Sequence, residues 1–536
     1  MRGLLAFGLA FGHHGRRDQR PRRGQLLAPL AFALALPLTA AAASCGRAGT
    51  APPGPDLQIL GESTRLRLED PLPAATPWLV DGRVSLVAAR GEILGIQVAQ
   101  RAAASATHAP SSLTIDGPGV TVRGYAVESF AVRRPSTALY GGSHGAGTYA
   151  DALTPADAPA TSPAYFEIAV AADATPGPRA GRLVAGGREL PVSLEIARPV
   201  LPPLSPRVWA YADPREFGWA LDPTAPERDR ARPWADERAC HERFRAYGVH
   251  LAPDLRLAWW PHRRDLAAGL PVVPTVIPTE PAAAAAAVRG WIEATRGTGQ
   301  VPFAIPIDEP RSPAARARVR ELAATVRAAG GGPGRFLFAV TADPHPDLGD
   351  QIDLYIGLST AHLAGDAAPR WTYNGAPPRA GSLVLDAATP GPRTWGWIGW
   401  RWNIPLWYVW DALYWHDRHN RYMELLPGRA LDPRADPVSF DDGSDHGNLD
   451  GVLALPAPGG CRPTLRLAAI RRGLQDRALL ELAARCAPEA TARIAATLVP
   501  TALGDAPAHG PPSWPTVEGT WEQARRALIT LASCAP

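Results

Sequence analysis

An alternation beginning near residue 204 constrains this chain more than any other feature. Short apolar runs recur there, separated by Ala/Arg-rich stretches of helical period. The candidate strands are Val208–Ala212, Leu251–Leu257, Val272–Ile277, Phe303–Ile307, Phe336–Val340, Leu354–Leu358, a segment near Trp371–Tyr373, and Leu406–Leu413. Ala282–Thr295 and Ala314–Ala329 are the clearest intervening helices, and Gly297 and Gly330 follow them as helix C-termini prefer. Strands that alternate with helices must run parallel, and eight of them over roughly 250 residues predict a (β/α)8 barrel. Pro306 sits inside one proposed strand, where it would remove a ladder donor. Thr464–Arg485 reads as an amphipathic helix closing the barrel. That leaves 426–463 as a long loop on the active face and 487–536 as a helical tail broken at Pro511-Pro512.

Before the barrel the period changes from helical to alternating. Ile93-Gly95-Gln97-Ala99, Tyr165-Glu167-Ala169 and Leu183-Ala185 are short two-residue repeats with turn signals between them. This texture predicts an N-terminal antiparallel β-sandwich over 59–203, followed by the barrel at 204–486 and the tail at 487–536.

The first 44 residues read as an address. Five arginines between Arg16 and Arg23 precede an apolar run from Leu26 to Ala43, which meets Ser44-Cys45. A basic segment, an apolar segment and small residues before a cut make a secretory signal. The cysteine at that position resembles a bacterial lipoprotein signal, in which Cys45 becomes the lipidated first residue. Residues 45–58 then form a flexible tether, and the expected location is the bacterial cell envelope, lipid-anchored and facing the periplasm or the cell surface. Cys240, Cys461, Cys486 and Cys534 can pair in three ways in an oxidising compartment. Pairing Cys486 with Cys534 would staple the tail to the preceding helix.

Charge narrows the chemistry. The formal net charge is +4 and all 55 Lys+Arg residues are arginine, so Schiff-base and P-loop chemistry are excluded for want of an amine. Residues 1–44 hold six Arg and one Asp; without them the +4 becomes −1. A near-neutral chain with no basic stripe is not a nucleic-acid binder. An uncharged glycan suits it better, and no cofactor or metal site is expected. Asp441-Asp442-Gly443-Ser444-Asp445 lacks the full calcium-loop spacing and reads as a polar loop.

Barrel sites lie at the C-terminal ends of the strands. One strand end reads Ile305-Pro306-Ile307-Asp308-Glu309-Pro310. Two neighbouring carboxyls push their proton affinities apart, so one can act as an acid while the other stays ionised. The same acids also suit the N-terminus of the helix that follows. Trp395, Trp397, Trp400, Trp402, Trp407, Trp410 and Trp415 crowd one segment, with Trp371 and Tyr373 just before it. Indole faces suit the apolar faces of sugar rings, and half of these tryptophans are expected in the core. Trp410, Trp415, Trp371, Tyr373, Trp260 and Tyr211 are the candidate substrate contacts, and Asp308 and Glu309 the candidate catalytic pair. For a sugar lacking the 2-acetamido group, Asp411 or Asp213 could serve as a separate nucleophile, and a non-catalytic glycan-binding surface lipoprotein is the other alternative; His416, Asp417 and His419 read as a solvated loop.

These residues resemble glycoside hydrolase family 123 and the related domain-of-unknown-function family 4091. The resemblance runs through Arg90-Gly91-Glu92 with Gln97, Tyr149-Ala150-Asp151-Ala152-Leu153, and Asp173-Ala174-Thr175-Pro176-Gly177 with Gly181. It continues in Asp308-Glu309-Pro310, Trp371-Thr372-Tyr373, Arg393 with Gly396-Trp397, and Tyr414-Trp415, read as a strand-ending pair. Asp450-Gly451, Leu465-Arg466 and Arg471-Arg472-Gly473-Leu474-Gln475-Asp476 complete it. The resemblance implies a β-sandwich before a (β/α)8 barrel, and substrate-assisted hydrolysis of β-linked N-acetylgalactosamine. Carried over, Asp308 orients the sugar's acetamido group, Glu309 is the acid and base, and Tyr373 bonds the acetamido oxygen. The chain departs from the pattern at Arg472, Arg477-Ala478 and Leu455.

Overall fold

The computed structural model describes residues 55–101, 109–205, 207–217, 227–358, 362–365, 370–419 and 425–534. The predicted signal, Cys45 and the tether as far as residue 54 lie outside the described residues. Among the described residues no helix is long and apolar enough to cross a membrane.

Ten strands come first: β1 (Leu57–Gly61), β2 (Leu79–Val80), β3 (Arg83–Arg90), β4 (Ile93–Gln100), β5 (Ser112–Ile115), β6 (Val120–Val132), β7 (Gly147–Pro155), β8 (Ala164–Val170), β9 (Gly177–Ala185) and β10 (Arg188–Val200). They form two five-stranded sheets, ordered β1-β4-β8-β6-β7 and β2-β3-β10-β9-β5. Alternation places Leu94, Ile96 and Val98 of β4 in one apolar cluster with Leu86 of β3 and Leu194 of β10, so residues of both sheets share a core. Gly186 and Gly187, both at positive φ, make the tight turn between β9 and β10. One pairing departs from the antiparallel expectation: β10 runs parallel to β3. The chain leaves β3 through Gly91, at φ 74°, into β4 of the other sheet, so β3 is not paired with its successor.

The second part is an eight-stranded parallel sheet: β11 (Val208–Tyr211), β12 (Val249–Ala252), β13 (Val272–Pro274), β14 (Val301–Ala304), β15 (Leu337–Val340), β16 (Leu354–Leu358), β17 (Trp371–Tyr373) and β18 (Trp407–Val409). Its order is β12-β11-β18-β17-β16-β15-β14-β13. A single parallel bridge from Leu255 to Thr275 spans the remaining gap, so the barrel is nearly closed. The strands are shorter than the apolar runs, because proline punctuates them. β12 stops before Pro253, and β14 stops at Ala304, so Pro306 lies beyond the ladder and removes no bond from it.

The helices are α1 (Glu227–Ala246), α2 (Trp260–Arg263), α3 (Pro281–Ala294), α4 (Pro313–Ala328), α5 (Thr394–Arg401), α6 (Leu465–Cys486), α7 (Pro488–Leu498) and α8 (Glu518–Leu531). Ser312 caps α4 by accepting the Ala315 N–H, and Thr464 caps α6 by accepting the Leu467 N–H. Helix α6 is buried nearly all round rather than amphipathic. The expected long loop is also replaced, by three hairpins: β19 (His416–His419) with β20 (Leu425–Ala430), β21 (Val438–Asp441) with β22 (His446–Asn448), and β23 (Ala454–Ala457) with β24 (Gly460–Pro463). Two disulfides form, Cys240–Cys461 and Cys486–Cys534; the second ties the tail to α6.

Several of the motif residues singled out in the sequence make the joint between the sheets and α6. Arg466 pairs with Asp151 at 2.9 Å, and Arg471 reaches Glu167 at 2.6 Å and Glu62 at 2.9 Å. Arg472 and Arg525 both bond Glu92, at 2.7 and 2.8 Å. Arg393 donates to Asp476 at 2.7 Å, and Trp397 donates to the same oxygen at 2.9 Å. Gly396 and Gly473 let α5 and α6 touch: a Cβ on Gly396 would lie 1.7 Å from the Gly473 carbonyl oxygen. The departures fall in the same scaffold, with Arg472 inside the network, Arg477 donating to the Ile404 carbonyl, and Leu455 buried on β23. Each arginine of this joint meets a carboxylate, the partner a buried charge requires.

Candidate active site

Strand parity decides what reaches the barrel mouth. Trp209, Ala252, Phe303, Ala339, Ile356, Trp371 and Tyr408 fill the interior. Further along the same faces stand Tyr211 on β11 with Asp213 beyond it, Asp254 beyond β12, Thr341 beyond β15, Tyr373 on β17, and Trp410 beyond β18.

The acid pair sits in the turn after β14, cross-linked to two other strand ends. Thr341 donates its hydroxyl to Asp308 Oδ1 at 2.5 Å and accepts the Glu309 N–H at 2.8 Å. Tyr373 donates to Glu309 Oε1 at 2.9 Å, and Arg311 pairs with Oε2. Glu309 holds φ at 39°, a left-handed conformation that costs a non-glycine residue about 1–2 kcal/mol. The neighbouring carboxyls therefore do not alternate across a strand, and the helix-cap alternative is settled by Ser312, which occupies that position. Burial pushes Asp308 up to about 6; the Thr341 bond opposes the rise and the Glu309 charge adds to it. Burial, then the Asp308 charge, pushes Asp254 up to about 7. Burial and the Glu309 charge raise the Tyr373 hydroxyl as well, so it stays a donor.

The predicted aromatic contacts divide. Tyr373 meets the acid pair. Trp410, partly exposed at the mouth, donates its indole N–H to Asp450 at 3.2 Å, and Tyr140 holds the other Asp450 oxygen at 2.9 Å. Tyr211 is half-buried against the barrel interior. Trp371 lies one layer below Tyr373, edge-on to Phe303 at 5.2 Å, and is a floor residue. Trp260 lies on the outer side of the wall, edge-on to Trp291 of α3 at 5.6 Å, with its N–H on the Ala294 carbonyl. Trp415 and Tyr414 lie past the end of β18, so they do not end the strand; Trp415 is buried against Phe217 and donates to the Ala454 carbonyl. More of the tryptophan-rich segment is core than the expected half: Trp395, Trp397, Trp402, Trp407 and Trp415 are all buried.

Of the other candidates, Asp213 is buried at an inward position, whereas Asp411 is out of that parity and accepts the Leu413 N–H at 2.9 Å. His416 is held by Glu216 at 2.7 Å; the side chains of Asp417 and His419 lie outside the described residues. The Asp441 and Asp442 carboxylates accept N–H groups of their own hairpin turn. Sequence reasoning missed Thr341 and Asp254. The i, i+2 step from Ala252 was a usable signal for Asp254; nothing marked Thr341 before the barrel brought its strand beside β14.

No family model matches the sequence, and no curated protein matches it. The fold is that of a family 123 glycoside hydrolase from Clostridium perfringens, whose structure was analysed for glycolipid glycan hydrolysis. The two align with a TM-score of 0.58 and 12% identity, over 89% of this chain and 97% of that one. A family 2 glycoside hydrolase from Bacteroides cellulosilyticus also aligns, at a TM-score of 0.25 and 10% identity, over 70% of this chain and 49% of that one, and carries no argument.

Proposed function

We propose that this chain is a glycoside hydrolase acting on β-linked N-acetylhexosamine, with N-acetylgalactosamine favoured, by substrate assistance and with retention. The observation that carries the reading is the acid pair at the mouth of a barrel of the family 123 fold, with Asp308 on Thr341 and Glu309 on Tyr373. In this scheme the sugar's acetamido oxygen attacks the anomeric carbon while Asp308, ionised, holds the acetamido N–H. Glu309 protonates the departing oxygen and then takes a proton from the incoming water, so the acetamido group and the enzyme are both regenerated. Arg311 must leave Glu309 Oε2 for that proton to be held, and its half-exposed side chain permits the movement.

A second reading, with a protein carboxylate as nucleophile, has a candidate in Asp254. It is disfavoured because a nucleophile must be ionised, and Asp254 holds its proton up to about pH 7.

The test is hydrolysis of chromogenic β-N-acetylgalactosaminide and β-N-acetylglucosaminide by the chain from residue 46. Glu309→Gln should cost about a hundredfold or more in kcat. Equal activity of the wild type and the variant refutes the role of Glu309, and a covalent glycosyl-protein seen by mass spectrometry refutes substrate assistance. We also propose that residues 1–44 are removed and that Cys45 carries the lipid anchor; Cys45→Ser should move the protein from the membrane to the soluble fraction. The two disulfides suit an oxidising compartment.

A further inference from the structure

We propose that Asp254 is a third substrate-contacting carboxyl of this mouth, bonding a ring hydroxyl of the sugar on which Asp308 and Glu309 act. The identity of the ligand rests on the glycosidase reading; the placement of Asp254 does not.

Ala252 is the last interior residue of β12, and two residues on, past Pro253, the same face presents Asp254. The backbone beyond it is fixed. Leu255 donates its N–H to the Pro274 carbonyl at 3.1 Å and accepts the Val276 N–H at 2.9 Å. The carboxyl therefore stands on a rigid strand end rather than on a loose loop. Asp254 caps no helix, since the next one is a 3-10 turn over Leu257–Trp259 whose N-cap is Arg256. Among the described residues none donates a hydrogen bond to it and no cation pairs with it. The titratable groups that face it are Asp308, from the turn after β14, and Tyr408, from β18.

Asp254 is partly exposed, so its carboxyl is within reach of a molecule in the mouth. Acids of raised proton affinity concentrate where a ligand uses them. Burial raises both Asp254 and Asp308, and Asp254 the more because the Asp308 charge adds to it, so Asp254 is the last of the two to lose its proton. A protonated carboxyl both donates and accepts, which matches a sugar hydroxyl. Asp308 meanwhile stays an acceptor for an amide N–H. Two adjacent acids thus offer different hydrogen-bonding faces to one ring.

The experiment uses the chain from residue 46 with Asp254→Asn and Asp254→Ala, each checked for folding by thermal melting. Hydrolysis of the aryl 2-acetamido glycoside is measured from about pH 5 to about pH 9. Binding of free N-acetylgalactosamine is measured by calorimetry in the Glu309→Gln background. Asp254→Ala should raise KM and weaken binding about tenfold, with kcat within about threefold of wild type. Asp254→Asn, which stays neutral, should keep wild-type binding at pH 6 and lose the weakening that wild type shows above pH 7. If Asp254→Ala does not fold, the Asn pH profile decides. Variants that bind and turn over as wild type does at every pH overturn the proposal, and so does a wild type that neither binds nor cleaves the sugar. Asp254-dependent binding without turnover by wild type would sink the hydrolase reading and leave Asp254 standing.

Discussion

Replacing Asp308 with asparagine should remove activity and, at neutral pH, stabilise the protein. The two effects have one cause. An aspartate in the unfolded chain titrates near 3.8, and burial at the barrel mouth lifts Asp308 to about 6. The folded state therefore holds the proton more tightly than the unfolded state does. Stability falls as pH rises through that window and stays lowered above it. A rise of this size corresponds to about 3 kcal/mol against the ionised form, and solvent at the mouth reduces the cost to roughly 1–3 kcal/mol. The uncharged amide of the variant would carry no such cost, and its oxygen could still accept the Thr341 hydroxyl. The assay is thermal unfolding by tryptophan fluorescence at about pH 4 and about pH 7.5, with glycoside hydrolysis in parallel. Asp308→Asn should match wild type at the lower pH and melt about 2–5 °C higher at the upper one. Its kcat/KM should fall about a hundredfold or more, and wild-type activity should decline as pH drops below about 6. A variant no more stable than wild type at the upper pH would show that burial does not strain this carboxyl, and the electrostatic account of the site would fail with it.

Three further outcomes follow from the same geometry. Tyr373→Phe removes the donor at 2.9 Å from Glu309 and should lower kcat about tenfold or more, with little change in melting temperature. Asp151→Ala leaves the fully buried Arg466 guanidinium facing only carbonyls and should cost about 3–5 kcal/mol, read as a lower denaturation midpoint. Replacing both Cys486 and Cys534 with serine opens a link across 48 residues; chain entropy puts the cost at up to about 4 kcal/mol, measured by urea unfolding under oxidising conditions.

The buried arginines also explain why a motif can be legible without being catalytic. Arg466, Arg471 and Arg472 lie in the closing part of the resemblance, yet each is engaged by a carboxylate from the sheets. Their work is to hold two layers of secondary structure together. Glu92, in the turn after β3, shows how the joint is built: one carboxylate accepts from Arg472, from Arg525 and from the Ala89 N–H of β3. A buried charge needs several donors at once, so residues widely separated in the chain are bound into one constellation.

Periodicity is a local property, and it carried the strands and helices of the barrel. Each of the eight apolar runs holds or overlaps a strand, because alternation and helical spacing are set by nearest neighbours along the chain. The Asp308-Glu309-Pro310 turn was legible for the same reason: proline and a strand end are both local. What the residues could not declare was which face each side chain would take. The indoles of the tryptophan-rich segment are chemically alike, yet Trp395 stacks on Trp407 in the core while Trp410 stands at the mouth. Thr341 and Asp254 entered the site only when closure of the barrel brought β12 and β15 to the ends of β14. Burial, parity and the proximity of unlike strands are properties of the closed sheet, so only the tertiary structure could decide them.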